Sequence, residues 1–160
     1  MSSLTSGMKK IASAAQKSIQ KQQLIKTITE RFINLLNNIK VIYTDNNYET
    51  IITVSNMIKK TNPKLMISLW QNYVTKNYGS EVLNKNVNFI ITHDIMYDFR
   101  NNKDNYFNDT TLETGENILS ALRKIITEHY NKNESKTLLL NDLMEQCYVI
   151  TKLCELYTSL

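Results

Sequence analysis

Three glycines and one proline leave this 160-residue chain almost without the residues that make tight turns. A β-sandwich or barrel needs a turn every ~8–12 residues, so the scarcity argues against a β fold. Long runs with three- and four-residue apolar spacing recur from end to end instead, and they predict an all-α chain. No two of Gly7, Gly79 and Gly115 lie within four residues of each other, which excludes a glycine-rich loop cradling a nucleotide phosphate. Histidine is limited to His93 and His129 and cysteine to Cys147 and Cys154, too few and too scattered for a zinc site of about four ligands. The opening MSSLTSGMKK lacks the roughly 7–15-residue apolar run of a signal peptide, and no run approaches the ~20 apolar residues that span a bilayer. The expectation is an intracellular chain of cytoplasm or nucleus, neither secreted nor transmembrane. Cys147 and Cys154, seven apart in one predicted helix, point the same way and cannot pair, so they read as reduced core residues.

What is abundant is asparagine (20), isoleucine (18), lysine (16) and tyrosine (9), against four alanines and three arginines. That skew fits an AT-rich genome and accounts for part of the basicity. Charge is uneven. Residues 1–42 carry Lys9, Lys10, Lys17, Lys21, Lys26, Arg31 and Lys40 against Glu30 alone, a net of +6, while the other 118 residues hold 12 basic and 14 acidic side chains, a net of −2. The formal +4 therefore belongs to the N-terminal arm.

Within that arm the segment MKKIASAAQKSIQKQQLIKTITERFINLLNNI contradicts itself. At 100° per residue Met8, Ile11, Ala12, Ala15 and Ile19 share one face, whereas Leu24, Ile25, Ile28, Phe32, Leu35 and Ile39 share nearly the opposite one. If the second set packs on the chain's own core, an unbroken helix turns the first set away from it. Either the helix breaks near Gln20 to Gln23 and folds back, or it projects. SIQKQQL holds no Gly or Pro, so projection is expected. The expected architecture is a compact bundle or array of about five to seven helices, with residues 1–23 a basic amphipathic arm and residues 24–160 one helical domain. A chain of this length can bury roughly 70% of the surface its unfolded form exposes.

Further along, TDNNYET places Asn46 and Glu49 at capping-box spacing ahead of a helix through Ile51 to Ile58. Asn62 and Pro63 restart the chain as N-cap and first helical residue, Leu65, Met66, Leu69, Trp70, Tyr73 and Val74 form a buried face, and Gly79 is expected to close that helix. Val87, Phe89 and Ile91 alternate like a strand, but the run is short and partnerless, so two short helices near residues 80–85 and 88–100 are preferred. Thr110 and Glu113 form another capping pair before a stripe of Ile118, Leu119, Leu122, Ile125, Ile126 and His129, with Gly115 weakening the first turn. The last helix, about residues 135–158, is the most regular: Leu140, Leu143, Cys147, Ile150, Cys154 and Tyr157 recur at alternating threes and fours.

Candidate chemistry is sparse, and an enzyme is not expected. His93-Asp94 invites comparison with HD phosphohydrolases, but no histidine precedes it to supply the first metal ligand; the pair reads as a helix cap. Asp94 and Asp98 are two carboxylates without further oxygen donors, a poor cation cage. Trp70, Tyr73, Tyr78 and Phe89 read as core at helical spacing. No cofactor and no metal is expected. The arm remains. Met8, Ile11, Ala15 and Ile19 are candidate docking residues for another protein or a second copy. Lys9, Lys10, Lys17 and Lys21 are the alternative, a nonspecific contact to nucleic-acid phosphates. A membrane surface is not expected, because alanines fill the apolar stripe where Leu, Phe or Trp would be needed.

The stretch LWQNYVTKNYGSEVLNKNVNFIITHD, through Leu69, Trp70, Tyr73, Tyr78, Asn88, Phe89, Ile90 and Asp94, resembles short helical proteins encoded by giant DNA viruses with AT-rich genomes. In that group a Leu-Trp pair, spaced tyrosines and an Asn-Phe-Ile segment before an Asp recur. The resemblance covers under a fifth of the chain and implies a virion component or virus-coded adaptor, with no catalytic residues carried over. Together these readings point to a non-enzymatic helical interaction protein.

Overall fold

The first helix decides the shape of the molecule. In the computed structural model, which describes residues 2–102, 106–129 and 134–160, α1 (Ser2–Ile39) runs without a break through SIQKQQL. Gln, Lys and Ser offer nothing that would interrupt the backbone hydrogen bonds there. Its second half packs antiparallel to the last helix, α8 (Glu134–Ser159): Asn38 Nδ2 donates to Gln146 Oε1 at 3.1 Å near one end, and the Lys21 ammonium lies 5.8 Å from the Tyr157 ring centre at the other. Because α8 stops at Ser159, the part of α1 preceding Lys21 extends past the body of the protein.

Between these two lie α2 (Asn46–Thr61), α3 (Pro63–Trp70), a π-helical turn (Gln71–Thr75) running directly into α4 (Lys76–Leu83), the short α5 (Phe89–Thr92) and α6 (Ile95–Arg100), and α7 (Asp109–His129). Counting Pro63–Leu83 as one continuous helix gives seven, and no strand occurs among the described residues. The strand-like alternation of Val87, Phe89 and Ile91 thus resolves into α5, where Phe89 and Ile90 are buried and Ile91 is exposed.

One half of the core joins Ile28, Leu35, Ile67, Trp70, Ile150 and Cys154; the other joins Tyr78, Val82, Phe89, Ile90, Ile126 and Leu140. Ile42, Val74, Leu122 and Cys147 touch both halves and make them continuous. Trp70 anchors the first half. Its ring meets Phe32 edge-on at 6.0 Å, and its indole N–H donates to the buried Thr151 hydroxyl at 3.0 Å, so the polar edge of the largest side chain is satisfied.

The π turn has a reading in the sequence around it. Met66, Trp70, Val74, Tyr78 and Val82 recur every four residues, and each step overruns the 3.6-residue α turn by about 0.4 residue. Over four steps an ideal α-helix would carry Val82 well off the face that holds Met66. The wider turn at Gln71–Thr75 absorbs most of that overrun, and Met66, Trp70, Tyr78 and Val82 are all buried.

Several helix ends differ from expectation. Asp45, not Asn46, caps α2: its carboxylate accepts from the Tyr48 N–H at 2.8 Å, while Glu49 pairs with Lys40 at 3.1 Å instead of reaching back to the cap. At α7 the Asn108 side chain accepts the Thr111 N–H at 2.8 Å, so the start lies ahead of Thr110. Asn62 precedes Pro63 as expected but caps without a side-chain hydrogen bond. Gly79 closes nothing. It lies inside α4, and the chain turns instead at Lys85, whose φ of 52° is left-handed and lets the Asn86 N–H reach the Glu81 carbonyl at 3.0 Å. The expected helix over residues 88–100 is divided at His93-Asp94, and Arg123 holds the division: its Nε donates to the Ile90 carbonyl at 2.7 Å and its Nη2 to the His93 carbonyl at 3.0 Å.

Candidate functional site

The arm carries its apolar stripe into solvent. Met8, Ile11 and Ile19 are 65%, 71% and 57% exposed, and Ala15 is exposed with them. Ala12 belongs to the stripe by spacing, but its side chain lies outside those described. The stripe ends where Lys26 takes up the same face one heptad beyond Ile19. Lys10, Lys17 and Lys21 follow the opposite face, the one that becomes Leu24, Ile28 and Leu35 further along. The core-facing side of α1 therefore turns basic where α8 runs out. Lys9, Lys10 and Lys17 are exposed and make no salt bridge with any described residue, whereas Lys21 is half-buried against Tyr157.

The other residues singled out from the sequence serve the fold. Asp94 caps α6 by accepting the Tyr97 N–H at 3.1 Å, and His93 packs edge-on against Tyr78 at 6.1 Å. Asp98 accepts the Tyr78 hydroxyl, and burial together with that bond pushes the phenol above its ordinary value. Arg100 pairs with Glu116. Burial pushes the Cys147 and Cys154 thiols up to about 12, which keeps them protonated and unreactive as nucleophiles at neutral pH. Both are free. Among the described residues no three His, Cys, Asp or Glu side chains come together as metal ligands, and no helix is long and apolar enough to cross a membrane. His129 and Tyr130 fall outside the described side chains.

One feature was not expected from the sequence. A cavity of about 630 Å³ opens between the second half of α1, α2, α3 with its π turn, α6 and the start of α7. Among the described residues no Asp, Glu, Lys, Arg or His lines it. Tyr73 stands on one wall, packed against Phe99 at 4.9 Å and Phe107 at 4.8 Å between ring centres. Met66, Met96 and Trp70 also line it, each nearly fully buried. The one sequence signal for it is the charge-free run Leu65 to Thr75, which supplies six of the lining residues. The remaining walls come from segments too far apart in the chain for any spacing rule to join them.

No protein-family model, no curated protein and no solved structure matches this chain.

Proposed function

We propose that this chain is a non-enzymatic assembly protein that associates with a second copy of itself through the projecting half of α1. The observation that carries the reading is the unbroken helix presenting Met8, Ile11, Ala15 and Ile19 to solvent, on the side turned away from its own core. From Met8 to Ile19 the stripe is about 16 Å long at 1.5 Å per residue. Two such stripes laid antiparallel are self-complementary: Met8 of each copy faces Ile19 of the other, and the small Ala15 near the middle lets the helices approach. The two bodies then lie at opposite ends of the paired arms. Lys10, Lys17 and Lys21 point outward from the pair, so those of one copy stand farther from those of the other than the ~8 Å over which salt lets charges interact.

The contact is small beside the ~1,200 Å² of a stable interface, so the dimer is weak and concentration-dependent. A structural role in a virion, the role implied by the resemblance to giant-virus helical proteins, suits weak self-association repeated many times. The two free thiols, Cys154 buried and Cys147 partly so, suit an intracellular setting.

Disulfide trapping tests the register. A mixture of Met8→Cys and Ile19→Cys chains should cross-link to each other under mild oxidation and neither should cross-link to itself, because the register sets each position opposite the other; the native thiols, Cys154 buried and Cys147 partly buried, pack in the core of the body away from the arm. Cross-linking no faster than for an exposed Ser13→Cys control would overturn the antiparallel pairing.

A second reading rests on Lys9, Lys10 and Lys17, which have no acidic partner among the described residues and lie in a segment with no Asp or Glu before Glu30. It makes the arm a nonspecific phosphate binder. Binding to duplex DNA that weakens steeply with salt, survives Ile11→Ser and is lost in a Lys-to-Gln arm would favour it.

A further inference from the structure

We infer that the cavity between α2 and α7 is a binding site for a neutral amphiphile, a single hydrocarbon chain inside with an uncharged hydroxyl or amide head at the rim. The inference does not depend on the arm. The cavity's 630 Å³ falls within the ~300–1,000 Å³ of small-molecule sites.

Its interior is mostly hydrocarbon and aromatic surface, and three of its polar groups are already engaged. The Tyr48 hydroxyl donates to the Leu36 carbonyl, the Thr114 hydroxyl donates to the Thr110 carbonyl at 2.9 Å, and the Tyr73 hydroxyl accepts the Tyr106 N–H at 3.2 Å. Water inside would find few partners, so an apolar chain that displaces it into bulk solvent gives up few hydrogen bonds. The interior can also adapt. Gly115 leaves room that the flexible Met96 side chain occupies, with its Cε 3.2 Å from where a Cβ on residue 115 would stand.

The rim specifies the head. Asn47, Thr50 and the 46%-exposed Val54 follow one face of α2, and Asn108 and Thr110 face them from the start of α7; all five line the cavity and reach solvent. These are amides, hydroxyls and one methyl-bearing side chain, with no cation among them. Among the described lining residues a carboxylate or phosphate head would lose water without gaining a cationic partner, and an ammonium head would find no carboxylate.

The test uses the full chain and its single tryptophan, Trp70, which lines the cavity. Titration with dodecanol should change Trp70 fluorescence saturably, with one dodecanol per chain by native mass spectrometry and a rise in melting temperature. Dodecanoate and dodecylammonium should bind about tenfold more weakly or less, because their charge must be stripped of water. Ser55→Phe, which fills the interior, should abolish the fluorescence response while leaving helical circular dichroism intact. Should that variant fail to fold, Val54→Glu at the exposed rim gives an independent reading and should weaken dodecanol binding. No saturable response to dodecanol, equal binding of all three heads, or a response unaltered in whichever variants fold would overturn the inference.

Discussion

Gly79 and Gly115 both lie inside helices, yet their surroundings call for different outcomes on substitution. A Cβ at Gly79 would meet only the Thr75 Cγ2 at 3.7 Å, ordinary contact, and the backbone there is right-handed. Gly79→Ala should therefore stabilise the protein by about 0.5–1 kcal/mol in urea unfolding, chiefly by restricting the unfolded chain. Gly115→Ala should gain less, since the Met96 terminus must first withdraw. The two thiols define a pH response at the same scale. Burial raises both from 9.0 to about 12, so between those values the unfolded chain binds fewer protons than the folded one. Their contribution is complete below pH ~9 and is lost as the pH climbs toward 12. Urea midpoints should hold steady from pH 7 to 8.5 and fall by pH 10.5; midpoints flat to that pH would contradict the burial of Cys147 and Cys154.

At the scale of elements, α1 joins two regions of unequal support. Its second half is buried against α8, but the described arm side chains from Met8 to Gln20 are all exposed, and isolated helices of this length are marginal in water. Amides of residues 8–20 should exchange with deuterium far faster than those of residues 28–39 in dilute solution, and should gain protection at high protein concentration as arms pair. Exchange of the arm as slow as the buried half at every concentration would contradict that division. The opposed apolar faces of α1 and the alternating seam of α8 were legible in the sequence because helical periodicity is strong over long, unbroken segments. Shorter features were not. Asp45 displaced Asn46 as the cap because a carboxylate one residue earlier could reach the Tyr48 N–H. Lys85 displaced Gly79 as the turning residue because the apolar spacing, carried through the π turn, kept Tyr78 and Val82 buried and the helix running past the glycine. The division at His93-Asp94 depends on Arg123, thirty residues away in the chain.

The whole molecule combines a closed helical body with one helix that overshoots it. The body explains where most apolar residues go, including Trp70, Tyr73, Tyr78 and Phe89, which the sequence marked as core. The cavity could not be read in advance because five elements build it and no charged residue marks it among those described; absence of charge becomes visible as a pattern only once the segments are brought together. The arm could be read, since its misfit with the body is a matter of helical phase. Its apolar stripe and its lysines imply opposite responses to salt: burial of Met8, Ile11 and Ile19 is insensitive to ionic strength or strengthened by it, whereas phosphate contacts weaken. Sedimentation velocity of the nucleic-acid-free full chain across a concentration series, at low and high salt, reads that difference directly. The expected result is a monomer–dimer equilibrium that persists at high salt and disappears in Ile11→Asp. A chain that remains monomeric at every concentration, or an Ile11→Asp variant that associates as the original does, would contradict assembly through the arm.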